Sequence, residues 1–308
     1  MKKLLTLLFV CLLLTGCSPA AQATVYRMNT VMTLDIQGRD AEAALTAVDT
    51  LLKDLEETWS ATRAGSVLSS LDAGEAITLT EEQAALLSRV EALSDRTGGA
   101  FDPHLRALSE AWGFGAENQA VPSPDAIAAA LAQDRWDLGG ALKGHAGQEA
   151  AELLDTMDID RALLNLGGNI QTYGVKADGS PWNVGIQSPD GGDYLGVIAV
   201  SGTAAIVTSG DYQRYFEEDG KIYHHILDAE TGYPADSGLR SVTVICRDGL
   251  TADVFSTAMF VMGLEDAAEF WRESGDFEAV FITADGKIYA TEGAALSGCE
   301  FEVIAREE

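Results

Sequence analysis

Asp-Gly pairs punctuate the second half of the chain. Asp178-Gly179, Asp219-Gly220 and Asp285-Gly286 stand between short runs of alternating or β-branched apolar residues. An Asp-Gly pair suits the two positive-φ positions of a type I′ turn, whose twist joins antiparallel neighbours. The runs "RALLNL", "WNVGIQ", "YLGVIAVSG", "SVTVIC" and "AVFITADGKIYATEG" are therefore expected as strands of antiparallel-rich sheets, the last a hairpin turning at Asp285-Gly286. The first half reads differently. "VMTLDIQG" puts Met32, Leu34 and Ile36 on one face of a strand, and "DAEAALTAVDTLLKDLEETWS" then spaces its apolar residues as a helix does. Thr80 and Gln83 form a capping box for a helix closing at Gly98-Gly99, Ser123-Pro124 opens another, and a further helix is expected from Thr251 to Gly263. Helices and strands mixed without regular alternation give an α+β fold class.

The chain has 308 residues, of which 47% are hydrophobic. Its first stretch, MKKLLTLLFVCLLLTGCSPA, runs from two lysines through an apolar segment to small residues before Cys17. That pattern is an export signal, too short to span a bilayer comfortably. It resembles a bacterial lipoprotein signal, which assigns 1–16 to the leader, lipidation to Cys17, 17–24 to a linker and 25–308 to one domain. The expected location is therefore the extracytoplasmic face of the cell membrane, held by lipid alone. Cys246 and Cys299 are the cysteines left in the exported body, where they could pair in an oxidising compartment. Net charge is −28, and loss of Lys2 and Lys3 with the leader takes it to −30. Such a surface repels nucleic acid and anionic lipid, so a polyphosphate ligand would need a metal ion or oriented N–H groups.

Four stretches combine residues suited to chemistry. In "DLGGALKGHAG", Gly139-Gly140 lets backbone approach a ligand, the helix start that follows turns N–H groups outward, and Lys143 adds positive charge. Phosphate would fit there, with Asp137 as an acceptor or a loop-shaping group. A capped helix with two turn glycines explains the same residues. In "TADVFSTAMFVMG", Asp253 and Thr257 share a helix face beside Ser256 and could hold a hard cation through oxygen; an acid complementing the helix dipole is the plainer reading. In "YHHILDAETGYPA", His224 and His225 end a strand and face opposite ways, so only one can enter a given cleft. In "GGAFDPHLRALSEAWGFG", Phe101, Asp102 and the aromatic Trp112-Gly113-Phe114-Gly115 suit a flat heterocycle or a core equally well.

Taken in order, "MNTVMT", "GGAFDP", "WGFG", "DLGGALKGHA", "LLNLGGNI", "PWNVGIQSP", "TSGDYQRYF", "YHHILDAETGYPA" and "TADVFSTA" resemble the flavin transferase family named ApbE, from about Val25 to Gly293. The resemblance implies a Mg²⁺-dependent FAD:protein FMN transferase, which cleaves FAD and joins FMN to a threonine or serine of an exported acceptor protein, releasing AMP. It implies that Met28, Ala100, Phe101, Asp102, Asp137, Lys143 and the backbone near Leu227 contact FAD. It places the Gly140 carbonyl, Asp253, the Ser256 backbone and Thr257 around the metal. Thr62 in "WSATR" falls where the family often carries an aromatic residue. His225 is the expected base for the acceptor hydroxyl, with His224 as the alternative. An FAD pyrophosphatase yielding FMN and AMP, or a flavin-binding lipoprotein without turnover, would use the same cleft. The chain departs from the family between "WGFG" and "DLGG". Ser123 to Gln133 reads as one helix and Asp134-Arg135-Trp136 leads straight into Asp137, so the strand delivering Asp137 is expected to be shortened or missing.

Overall fold

The computed structural model describes residues 19–114 and 119–306; the leader, Cys17 and Gly115 lie outside them. The elements in chain order are β1 (Ala20–Arg27), β2 (Thr30–Gly38), α1 (Ala41–Trp59), α2 (Val67–Asp72), α3 (Glu81–Arg96), α4 (Arg106–Trp112), α5 (Pro124–Leu131) and α6 (Leu142–Asp155). There follow β3 (Ile159–Leu166), β4 (Asn169–Gly174), β5 (Trp182–Gln187), β6 (Tyr194–Val200), β7 (Ala204–Gly210), β8 (Tyr215–Glu218), β9 (Lys221–His224) and β10 (Leu239–Cys246). The chain closes with α7 (Gly249–Met262), α8 (Leu264–Ser274), β11 (Glu278–Thr283), β12 (Ile288–Thr291), β13 (Leu296–Ser297) and β14 (Glu302–Ile304).

Nine strands form one sheet in the order β1-β2-β3-β4-β7-β10-β11-β12-β14, antiparallel except for the β12–β14 pair. Two of the Asp-Gly turns lie where expected, Asp285-Gly286 between β11 and β12 and Asp219-Gly220 closing the β8–β9 hairpin with φ of 53° and 76°, whereas Asp178-Gly179 joins β4 to β5, strands of different sheets that do not pair. The mixture of helices and antiparallel-rich sheets is the α+β class read from the sequence.

Burial follows the alternation. Met32, Leu34 and Ile36 of β2 pack with Leu164 and Leu166 of β3 against Val48 and Leu52 of α1 and Ala146, Ala150 and Leu154 of α6. On the opposite face, Ile186, Ile198 and Val200 of a small β13-β6-β5 sheet cover Ile206, Val280 and Ile282. Helix α7 is buried nearly all round, as expected of a helix apolar on every side. It lies against β7 and β10 with α6 alongside.

Two boundaries move. Ala20–Thr24, assigned to the linker, belongs to β1, paired in register with β2 from Ala20↔Gln37 to Arg27↔Thr30. Alanine-rich sequence has weak strand character, and the pairing with β2 supplies what propensity lacks. Helix α7 starts at Gly249 because the Asp248 carboxylate accepts the Thr251 N–H at 2.8 Å. Cys246 and Cys299 are both free thiols, so the pairing left open by sequence is not made.

Candidate active site

A cleft of about 1320 Å³ opens over one end of the large sheet. Hairpin turns and helix ends supply its walls: the β1–β2 turn, the end of α1, the loop before α4, the loop into α6, the β3–β4 turn and the His225–Leu227 segment. Met28, Thr62, Ala100, Phe101, Asp102, Asp137, Gly140, Lys143, His225, Leu227, Asp253 and Thr257 all line it. Residues up to 229 positions apart in the chain are thus gathered in one concavity. Ser256 is fully buried behind the wall, its Oγ donating to the Asp253 carbonyl at 2.9 Å, and its side chain does not reach the cleft.

The loop that carries Asp137 is secured despite the short approach. Leu105 and Arg135 form an isolated parallel bridge, and the Asp137 N–H donates to the Pro103 carbonyl at 2.6 Å. The expected strand is reduced to this bridge. Asp137 itself shapes the loop: its carboxylate accepts from the Gly139 N–H at 2.9 Å and from Ser109 Oγ at 2.9 Å. The start of α6 offers fewer open amides than its sequence suggests. Ala141 and Leu142 donate to the Leu138 carbonyl, and Gly144 donates to Asp253 Oδ2 at 2.8 Å. Tight turn bonding consumes those donors, which leaves the side chain of Lys143 as the conspicuous positive group of this wall.

Gly140 is small for a reason seen only in three dimensions. A Cβ there would lie 3.0 Å from the Phe101 ring and 3.3 Å from Thr257 Oγ1. Backbone, hydroxyl and the buried Asp253 carboxylate consequently converge on one side of the cleft. Ser209, itself part of the lining, has its Oγ hydrogen-bonded to Ser256 Oγ at 2.9 Å and Thr257 Oγ1 at 3.1 Å. The donors are all oxygen and include one carboxylate, a set that suits a hard divalent cation completed by water and phosphate rather than a soft metal. Among the described residues no group of three or more His, Cys, Asp or Glu side chains could hold an ion by itself.

The two adjacent histidines separate as strand geometry requires. His224 is buried, donates Nε2–H to the Ala235 carbonyl at 3.1 Å and meets the Phe260 ring edge-on. It is structural. His225 lines the cleft, with Nδ1 3.2 Å from the Arg214 carbonyl. A carbonyl only accepts, so Nδ1 carries the proton and Nε2 keeps its lone pair. Burial, then the charges of Arg214 and Lys143, push the His225 pKa down to about 3. The imidazole is neutral throughout the ordinary pH range.

Some residues play other parts than their sequence context suggested. Trp112 is fully buried, stacks on Phe114 and donates Nε1–H to the Gly232 carbonyl at 2.9 Å. It is core beneath the cleft, whereas Phe114 reaches the lining. Thr62 is an exposed rim residue with no ring to offer. Glu56, Ser109, Ser209 and Arg214 were not singled out from sequence, although all line the cleft. Each stood within a quoted stretch, Ser209 and Arg214 in "TSGDYQRYF", Ser109 in "GGAFDPHLRALSEAWGFG" and Glu56 in the first helix, but no local signal set it apart.

The ApbE family model matches residues 28–281, which include every lining residue discussed above. An FAD:protein FMN transferase of Treponema pallidum is 35% identical over 292 residues, covering 82% of this chain and 81% of that one. Among solved structures, the ApbE protein of Thermotoga maritima superposes with a TM-score of 0.81 at 31% identity, covering 89% of this chain and 97% of the other. The apo flavinyl transferase ApbE of Pseudomonas stutzeri gives 0.78 at 27% identity, covering 90% and 96%. With its motifs converging on one cleft and 82–90% of its length matched by these relatives, the chain belongs to the ApbE family.

Proposed function

We propose that this protein is an FAD:protein FMN transferase acting on an exported acceptor. The observation that carries the reading is the convergence, in one cleft, of a neutral imidazole with its Nε2 unprotonated, a set of oxygen groups at Gly140, Asp253 and Thr257, and Lys143, which has no ion-pair partner among the described residues. Phosphoryl transfer asks for little else: the anhydride must be positioned, its charge neutralised and a nucleophile aligned. Met28, Ala100–Asp102 and Leu227 would line the flavin and adenine, with Thr62 at the rim. Asp137 would act mainly by holding its loop, and Lys143 by attracting the diphosphate.

The oxygens of Gly140, Asp253 and Thr257, with the Ser256 backbone nearby, would hold Mg²⁺. Bound there, the ion supplies neutralisation of diphosphate charge that this acidic chain otherwise lacks. His225 Nε2 accepts the proton of the acceptor threonine or serine hydroxyl as its oxygen attacks the FMN phosphorus. The P–O bond to the AMP phosphate breaks, FMN becomes a phosphoester of the acceptor and AMP leaves. Diphosphate beside Lys143 and Arg214 offsets the charges that depress His225, so the imidazole gains basicity when substrate is present.

The membrane location is part of the same proposal. The lipoprotein signal ending at Cys17 and a folded body that begins at β1 support an exported enzyme held by a lipid anchor. Among the described residues no helix is long and apolar enough to cross a membrane.

Asp253→Asn tests the site. It keeps an oxygen for the Gly144 N–H and removes the charge that would hold the ion. In-gel fluorescence should show loss of covalent flavin on an acceptor while FAD binding weakens less. Full transfer by this variant would remove Asp253 from the metal assignment.

A further inference from the structure

The turn between β1 and β2 is unusual. Arg27 pairs with Thr30, so Met28 and Asn29 form a two-residue hairpin loop, and both have positive φ, 49° and 58°. Asparagine tolerates that region, but a long side chain such as methionine is rarely found there, and glycine is the ordinary occupant. Left-handed non-glycine residues persist where their surroundings hold them, and they gather at functional sites. Here the surroundings are one face of α1. Glu56 Oε1 accepts the Met28 N–H at 2.9 Å, and Asp49, two helical turns earlier, pairs with Arg27 at 2.8 Å. Both Glu56 and Met28 line the cleft.

We infer that Glu56 is a positioning residue: its carboxylate holds the strained Met28-Asn29 turn so that Met28 is presented to FAD. The inference rests on the proposed function for the identity of the ligand. The holding of the turn rests on geometry alone. A glycine in place of Met28 would relieve the backbone and leave nothing to present, which accounts for a costly residue at this position.

Two readouts on the otherwise unaltered protein separate the parts. The first is FAD affinity by flavin fluorescence, with KM and kcat for transfer. The second is the rate at which trypsin cuts the Arg27–Met28 bond, followed by mass spectrometry and independent of flavin. Glu56→Ala should cut faster and bind FAD roughly tenfold more weakly, the loss of one well-placed contact, with kcat at saturating FAD little changed. Glu56→Gln retains the accepting oxygen and should restore both. Asp54→Ala, which removes an exposed charge from the same helix, should alter neither. Unchanged cleavage in Glu56→Ala, or faster cleavage with wild-type FAD affinity, would overturn the inference, as would a Glu56→Gln variant as weak as the alanine. Wild-type protein that binds no FAD would count against the functional reading instead, and the trypsin comparison would still decide whether Glu56 holds the turn.

Discussion

Gly144→Ala is the substitution for which the structure makes the sharpest demand. Helices α6 and α7 cross at Gly144 and Gly249, and a Cβ at 144 would stand 2.0 Å from the Gly249 carbonyl oxygen and 2.6 Å from Asp253 Cβ. Ordinary contact begins near 3.4 Å, so the helices must part by about 1.4 Å. Overpacking of this kind costs about 1–3 kcal/mol. Parting the helices also stretches the Gly144 N–H bond to the Asp253 carboxylate, which contributes about 1.5–3 kcal/mol. The better helix propensity of alanine returns about 1 kcal/mol. The expected net loss is about 1.5–5 kcal/mol in urea unfolding, summing these contributions. Because Asp253 would move with α7, transfer activity should fall by roughly a hundredfold at matched folded protein, as misplacement by an ångström commonly does. Gly139→Ala is the comparison, since a Cβ there meets only Asp137 Oδ1 at 3.0 Å. A Gly144→Ala protein as stable and active as the parent would refute the claim that this crossing sets the position of Asp253.

Other expectations follow from single groups. His145 is buried on α6, and burial, reinforced by the Arg89 charge, lowers its pKa from 6.5 to about 4. Below pH 6.5 the unfolded chain therefore takes up a proton that the folded chain refuses. Stability falls toward pH 4 with a slope of up to about 1.4 kcal/mol per pH unit from this residue. His145→Gln should flatten the acid limb of a stability-against-pH curve; an unchanged limb would remove His145 as its source. Thr62→Tyr should restore a stacking ring at the rim and tighten FAD binding by roughly three- to tenfold, matching about 0.5–1.5 kcal/mol for an aromatic pair; fluorescence titration reads the change. Mass spectrometry of the mature N-terminus should find a lipidated Cys17, and an unmodified residue farther along would exclude the anchor.

What the sequence made legible were features that depend on neighbours in the chain. The β2 alternation, the Thr80–Gln83 capping box and the Asp-Gly hairpins at Asp219 and Asp285 are local, and each lies where its pattern puts it. Contacts set by packing were not legible. Gly144 looked like one more small residue in a glycine-rich stretch, because its reason for being glycine lies at Gly249, across the α6–α7 crossing. Glu56 sits in an acidic helix that also carries Asp54 and Glu57, with nothing local to show which carboxylate turns toward Met28. The choice between His224 and His225 likewise required the carbonyls of Ala235 and Arg214. Linker and strand were confused at Ala20–Thr24 because pairing, not composition, makes β1.

The most direct test of the proposed chemistry is a simultaneous count of products. The protein from Ser18 onward would be incubated with FAD, Mg²⁺ and an acceptor protein carrying a flavinylation threonine, and AMP and covalently bound flavin would be quantified in the same samples. The account predicts AMP and flavinylated acceptor in equal amounts, both abolished by EDTA and both lost in His225→Ala while FAD still binds. AMP appearing with free FMN and no labelled acceptor, or FAD remaining intact with Mg²⁺ present, would contradict it.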